Sequence, residues 1–313
     1  MNIYTHEREW NGGETAIAFG MFDGVHLGHR RLIETTCRAA NEMGLSSVVF
    51  TFSNHPLSII RPDCIPDQVD TRQEKLQDIA GCGPDAVILR PFDESFAGLS
   101  AEQFIDEIQK TMHPRVFVIG FNYTFGAKGL GKAEDMLRLG SRYGIETRIV
   151  DRVEIDGETV SSSRIRSALQ EGNIALANTM LGRPYRIEGL VESGKHLGRT
   201  LGFPTANLSF PEGKLLPRYG VYGCMAHISG RQYPAAVNVG IHPTAPEGKP
   251  TIEAFLIDYP GASLYDSDLT LEFYYFIRPE KRFDSLEDLR DEVLRNCGQV
   301  AGLFSKKMNG SAE

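Results

Sequence analysis

Apolar residues in the first half of the chain come as short, nearly unbroken runs: Ala16–Phe19, Ser47–Phe52, Ala86–Leu89, Val116–Ile119 and Glu146–Val150. Between them, Arg31–Glu42, Thr71–Ala80, Ala101–Lys110 and Lys132–Arg142 carry helical spacing. Strands without polar alternation are covered on both faces, so this alternation predicts a doubly wound parallel α/β sheet. Ligands of such sheets bind beyond the carboxyl ends of the strands. Gly20–His29 follows the first run, Asn54-His55-Pro56 the second and Gly120–Gly131 the fourth.

The pattern changes around Leu169–Arg183. Ser162 or Ser163 is expected to cap a helix to Gln170, Ile174–Leu181 forms another, and Gly182-Arg183-Pro184 breaks it. Tyr185–Val191, Tyr219–Ile228, Tyr233–Val239, Thr251–Ile257 and Thr270–Ile277 then read as strands punctuated by glycine and proline, predicting a compact antiparallel barrel or sandwich. A helix over Ser285–Arg295, with Leu286, Leu289, Val293 and Leu294 as its apolar stripe, closes the chain before a frayed tail, Ser305–Glu313. The boundary between two domains is placed at 182/183.

Composition narrows the function classes. The 313 residues favour two domains, and 41% hydrophobic with 24% charged residues is ordinary for a globular protein. A net charge of −8 argues against generic nucleic-acid binding but leaves anionic small substrates open. Five scattered cysteines without CxxC spacing suggest reduced thiols rather than a zinc site or disulfide framework. Met1–Trp10 is unlike a signal peptide and no apolar run nears a membrane span of about 18 residues, so a cytoplasmic location is expected, with no membrane partner. Nothing indicates an oligomer.

The richest stretch is Gly20–Arg30, GMFDGVHLGHR, between a strand and a helix. Its glycines let backbone N–H groups approach an anion at a helix N-terminus, and His26 and His29 share a face if the segment coils. Gly126-x4-Gly131-Lys132 and Gly189-x4-Gly194-Lys195 approach a Walker A loop but end in Ala133 and His196, without the hydroxyl that holds Mg²⁺. Three further clusters admit either a bland or a functional reading: Thr51–Pro56 around His55, the loop Gly120–Gly126 with Asn122 and Phe125, and Ser161–Arg166 with two guanidinium forks at a helix start. In the second half, GLVESGKHLGRTLGFPTANL combines Gly189, Gly194, Gly198 and Gly202 with Lys195 and Arg199, a flexible basic loop suited to phosphates. Thr205 and Asn207 offer oxygens to Mg²⁺, and Glu253 alternates with apolar neighbours, either an outward strand carboxylate or a base.

The order of these motifs, GMFDGVHLGH, TF..HP, G.N.TFG, SSSRIR and then GFPTAN, resembles that of bacterial bifunctional riboflavin kinase/FAD synthetases over nearly the whole chain. The resemblance implies a Rossmann-like nucleotidyltransferase domain, 1–182, followed by a riboflavin kinase-like, mostly-β barrel with a terminal helix, 183–313. It implies ATP-dependent phosphorylation of riboflavin to FMN and adenylylation of FMN to FAD, with Mg²⁺ in both steps. In the first domain it puts His26 and His29 at the α-phosphate, Arg166 and Ser162 at the leaving pyrophosphate, and Gly20, Phe22, Asp23, Gly24, Gly28, Ser161 and Arg164 around ATP. His55, Asn122 and Phe125 fall on the flavin side. In the second domain it assigns Gly194, Lys195, Gly198 and Gly202 to ATP, Thr205 and Asn207 to Mg²⁺, Asn238 and Arg278 to the flavin, and Glu253 to proton removal. The chain departs from the family's usual residues at Asn54, Asn122, Val160, Ser163, His242, Asp266 and Asn296.

Overall fold

The computed structural model describes residues 1–192, 205–241, 250–260 and 264–310, which divide into two units, Met1–Ser162 and Ser163–Glu313. In the first unit, β1 (Asn2–Tyr4), β2 (Thr15–Phe19), β3 (Ser46–Phe52), β4 (Ala86–Arg90), β5 (Pro114–Gly120) and β6 (Glu146–Val150) form a parallel sheet in the order β1-β4-β3-β2-β5-β6. Every residue of β2 and β4 is buried, as strands covered on both faces require. Alternate side chains feed separate cores: Ile17 and Phe19 join Phe50, Phe104 and Phe117 on one face, while Ala16 and Ala18 join Ile33, Val49 and Val118 on the other. The short β1 carries no apolar alternation and is an addition to the sequence reading. Loops following the first, second and fourth apolar runs therefore follow β2, β3 and β5. Strand order reverses between β2 and β5, which makes their carboxyl ends the switch-point crevice of this sheet.

A small hairpin, β7 (Glu154–Ile155) and β8 (Glu158–Thr159), turns through Asp156-Gly157, both at positive φ. The helix after it runs Ser162–Glu171, so Ser161 rather than Ser162 or Ser163 occupies the position before its first turn.

In the second unit the strands close into a barrel, settling the choice between barrel and sandwich. Its order is β10-β13-β12-β11-β14-β9, with β9 Tyr185–Glu192, β10 Thr205–Ser209, β11 Gly220–Ile228, β12 Arg231–Ile241, β13 Pro250–Leu256 and β14 Asp268–Pro279. Tyr185, Ile187, Ala206, Leu208, Val237, Ile252, Ala254, Leu271 and Phe273 are buried at alternating positions, the mark of a filled interior. The helix Ser162–Glu171 from Ser163 onward and the helix Ile174–Leu181 belong to this unit by their contacts: the Arg218 N–H donates to the Leu169 carbonyl, and the Asn178 amide donates to the Phe273 carbonyl and accepts from the Tyr185 N–H.

Three expectations are corrected here. Gly189, which falls both in the expected strand Tyr185–Val191 and in the expected basic loop, is a strand residue: a Cβ there would stand 1.7 Å from the Ser209 carbonyl oxygen, so β9 and β10 approach this closely only with glycine. The last helix runs Leu286–Gly310, well into the expected tail, because Val300 and Phe304 bury against Met225, Ala236, Tyr274 and Tyr275 on the outside of the barrel. Leu294 is 42% exposed and falls off the buried stripe, which runs through Val293, Asn296, Val300 and Phe304.

Candidate active sites

The loop leaving β2 is held in an unusual backbone. Phe22, Gly24 and Val25 have φ of 53°, 84° and 32°. Positive φ costs a bulky or β-branched residue on the order of 1–3 kcal/mol, and a strained loop persists only where its surroundings over-determine it. Phe22 and Val25 are fully buried in the apolar cluster beneath the first long helix, Leu27–Met43. Their burial, worth roughly 1.5–3 kcal/mol per side chain, offsets the strain.

His26 then caps that helix, its Nδ1 accepting the His29 N–H at 3.3 Å. The two imidazoles stack, with centroids 3.7 Å apart and planes within 15°, and the Phe22 ring lies 5.1 Å from His29. Gly28 leaves room for this: a Cβ there would come within 3.2 Å of His26 Nδ1. Burial lowers His26 to about 4, against opposing pulls from a backbone hydrogen bond and Asp70. Burial, then the His26 and Lys75 charges, holds His29 well below its ordinary value. Both rings are neutral near pH 7. Because His26 Nδ1 accepts a backbone proton, its own proton sits on Nε2, free to be donated. His29 Nδ1 is buried without a hydrogen-bond partner.

Asp23 is buried beside this pair. Its Oδ1 accepts the Asp70 N–H at 3.2 Å and its carbonyl accepts the Ser162 hydroxyl at 2.8 Å, so two residues singled out from distant motifs meet. His55 lies half-buried in the turn after β3, its Nδ1 accepting the Leu57 N–H at 3.1 Å. The departure at Asn54 has a structural reason: its side-chain amide donates to the Phe92 carbonyl at 3.0 Å and accepts the Phe92 N–H at 2.8 Å, tying the exits of β3 and β4. Asn122 is exposed after β5, whereas Phe125 packs in the core against Phe104 and Tyr123; the exposed aromatic of that loop is Phe121.

The barrel carries its candidates in one row. Asn207 on β10 pairs with Glu253 on β13, Glu253 with Asn238 on β12, Asn238 with Val221 on β11, and Val221 with Arg278 on β14. Cross-strand partners project to the same face with Cβ atoms roughly 5 Å apart. Asn207, Glu253 and Asn238 alternate with the buried Ala206, Ile252, Ala254, Val237 and Val239, so they stand on the outer face, half-exposed. Thr205 shares that face two residues before Asn207. Arg278 Nε lies 3.3 Å from Glu292 Oε1 and 3.4 Å from Asn296 Oδ1 on the terminal helix. Glu292, not position 296, thus supplies the carboxylate facing this guanidinium.

Residues 9–164 match the family model described as FAD synthetase, and residues 181–304 that described as riboflavin kinase. A bifunctional riboflavin kinase/FMN adenylyltransferase of Bacillus subtilis is 35% identical, over 93% of this chain and 93% of its own. One of Escherichia coli K12 is 33% identical over 90% of each. The chain belongs to the bifunctional riboflavin kinase/FMN adenylyltransferase family. The crystal structure of a macrolide-efflux protein from Streptococcus pneumoniae also shares the fold, with TM-score 0.85 and 30% identity over 94% of this chain and 96% of that one. No helix of the described residues is long and apolar enough to cross a membrane.

Within the family frame, Gly194, Lys195, Gly198, Gly202 and His242 lie outside the described residues. Sequence reasoning read PTAN as a loop and so missed β10. It also passed over Asp70 and Lys75. The Lys75 ammonium is buried and donates to the Phe52 carbonyl at 2.8 Å; burial lowers it to about 8, while Asp23 and Asp70 pull it back up. The available signal was Thr71-x-x-Glu74, a capping box that fixes Asp70 just before a helix and Lys75 in its first turn.

Proposed function

We propose that the two family parts act in series on one flavin, residues 183–313 phosphorylating riboflavin and residues 1–182 adenylylating the FMN so made. The observation that carries the reading is the pairing of two unlike sites: a stacked, neutral histidine pair at the switch point of one unit, and a carboxylate standing among amides on the barrel of the other.

In the kinase step Glu253 accepts the proton of the terminal ribityl hydroxyl as that oxygen attacks the γ-phosphorus of ATP, and ADP leaves. A positioned base contributes about 10²–10⁴-fold to such a transfer. Thr205 and Asn207 present a hydroxyl and an amide oxygen from one strand face, donors suited to a hard cation. These two residues would hold Mg²⁺, which would supply charge neutralisation to the transferred phosphate. Asn238 and Arg278 orient the flavin, and Gly194, Lys195, Gly198 and Gly202 attend the phosphates.

In the second step an FMN phosphate oxygen attacks the α-phosphorus of ATP and pyrophosphate leaves. No protein nucleophile is needed, because the attacking group is already an anion. His26 donates from Nε2 to the α-phosphate oxygen where charge grows, and His29 backs it. Such fixed donors are each worth about 10²–10³-fold. Gly20, Phe22, Asp23, Gly24, Gly28, Ser161 and Arg164 shape the nucleotide site, Ser162 and Arg166 receive the pyrophosphate, and His55 and Asn122 serve the flavin side, with Phe125 supporting that loop from the core. Incubating the protein with riboflavin and Mg·ATP and separating the products by chromatography tests the reading. FMN followed by FAD is expected; unconsumed riboflavin would remove the kinase half, and FMN without FAD the other.

A further inference from the structure

Lys75 has no part in the chemistry just described, yet it sits at its centre. Its ammonium is buried in the first turn of the helix Arg72–Gly81. Nζ donates to the carbonyl of Phe52, the last residue of β3 and the start of the turn that carries His55. Beyond ion-pair distance, the Asp23 and Asp70 carboxylates still favour its charged form, and its charge in turn disfavours a proton on His29. Asp23 lies three residues before His26 in the strained loop, and its Oδ1 bonds the Asp70 N–H just before this helix, so the loop after β2 is tied to the helix start while the helix, through Lys75, is tied to the exit of β3.

A cation is an expensive way to join three segments. Desolvating an ammonium costs several kcal/mol, and buried ion pairs are weak contributors to stability, often replaceable by apolar groups of similar volume. What the ammonium offers instead is direction: it is a fixed donor to the Phe52 carbonyl in the field of two carboxylates, and aligned groups lower the barrier of a reaction that depends on positioning.

We propose that Lys75 is a positioning residue for adenylyl transfer, anchoring the exit of β3 to the helix whose start holds the Asp23 loop, so that the His26–His29 stack is held at the α-phosphate. This rests on the adenylyltransferase reading above. It adds a residue on a separate helix, at a place in the chain that none of the nucleotide or flavin motifs covers.

The test is steady-state kinetics of FMN plus Mg·ATP to FAD for the wild type, Lys75→Met and Lys75→Arg, with riboflavin phosphorylation as an internal control. Lys75→Met is expected to lower kcat by at least about 30-fold while the KM values for FMN and ATP stay within about threefold, the signature of lost alignment rather than lost binding. Lys75→Arg keeps the charge and the donor and should return kcat to within about fivefold of wild type. Riboflavin phosphorylation should be unchanged in both. Should Lys75→Met fail to fold, the double variant Lys75→Met/Asp70→Asn takes its place under the same criteria. The inference is overturned if the folded variant lacking the cation keeps kcat within about threefold, if the loss lies in KM alone, or if Lys75→Arg is as slow as Lys75→Met. A wild type that makes no FAD from FMN would instead remove the reading beneath it.

Discussion

In the α/β unit the candidate groups come from irregular segments, among them a loop with left-handed backbone at Phe22, Gly24 and Val25, and lean on one another: His26 on the His29 N–H, Asp23 on the Asp70 N–H, Ser162 on the Asp23 carbonyl. In the barrel, Asn207, Glu253, Asn238 and Arg278 stand on separate strands and are aligned by the register of the sheet itself. The first site is assembled from irregular segments and stabilised by many small polar contacts. The second borrows its geometry from a ladder of backbone hydrogen bonds that exists whatever the side chains are. A side-chain change in the first should therefore spread through its neighbours, whereas one in the second should remove a single role and leave the frame standing.

The largest expected effect sharpens this contrast from the barrel side. Glu253→Gln should cut riboflavin phosphorylation by about 10²–10⁴-fold with little change in melting temperature, and leave FMN adenylylation untouched. Retained kinase activity would take the base away from Glu253. His26→Ala should lower FMN adenylylation by about 10²–10³-fold and, because the ring also caps a helix, cost about 1 kcal/mol of stability that Glu253→Gln does not. Equal melting temperatures for the two variants would break the distinction between a leaning site and a framed one.

Acid should separate the units too. His26 is held at about 4 against 6.5 when unfolded, so between these values the unfolded chain binds the extra proton and stability falls as pH is lowered. That one group can withdraw at most about 3 kcal/mol once pH passes below 4. Denaturant titrations at pH 7.5 and about 5 are expected to show a loss carried by the α/β unit and smaller in His26→Asn. An unchanged pH dependence in that variant would contradict the neutral, buried ring. The smallest effect is at Asn54: Asn54→Ala strips two hydrogen bonds from the Phe92 backbone and should cost roughly 1–2 kcal/mol, read by thermal melting.

Legibility in the sequence followed the same division. The parallel sheet was readable because strands such as Ala16–Phe19 and Ala86–Leu89 are apolar without interruption, and the histidine pair because its three-residue spacing implies one helix face. β1 was not, since three residues of mixed polarity carry no period. β10 hid for another reason: in Thr205-Ala206-Asn207-Leu208 the alternation is present but follows Gly-Phe-Pro, which reads as a turn. The row of Asn207, Glu253, Asn238 and Arg278 depends on register, which only pairing reveals. For Lys75 and Asp70 the capping box placed them at a helix start but not at a site, because charged residues there are ordinarily solvated, and only the fold brings Asp23 onto Asp70 and the end of β3 onto Lys75.

The central claim is that two separate sites act in series on a flavin that can leave one and enter the other. It is tested most directly by mixing His26→Ala protein with Glu253→Gln protein and supplying riboflavin with Mg·ATP. Alone, the first should accumulate FMN and the second should leave riboflavin unchanged; together they should make FAD. FAD from either variant alone at the wild-type rate, or none from the mixture, would contradict the account.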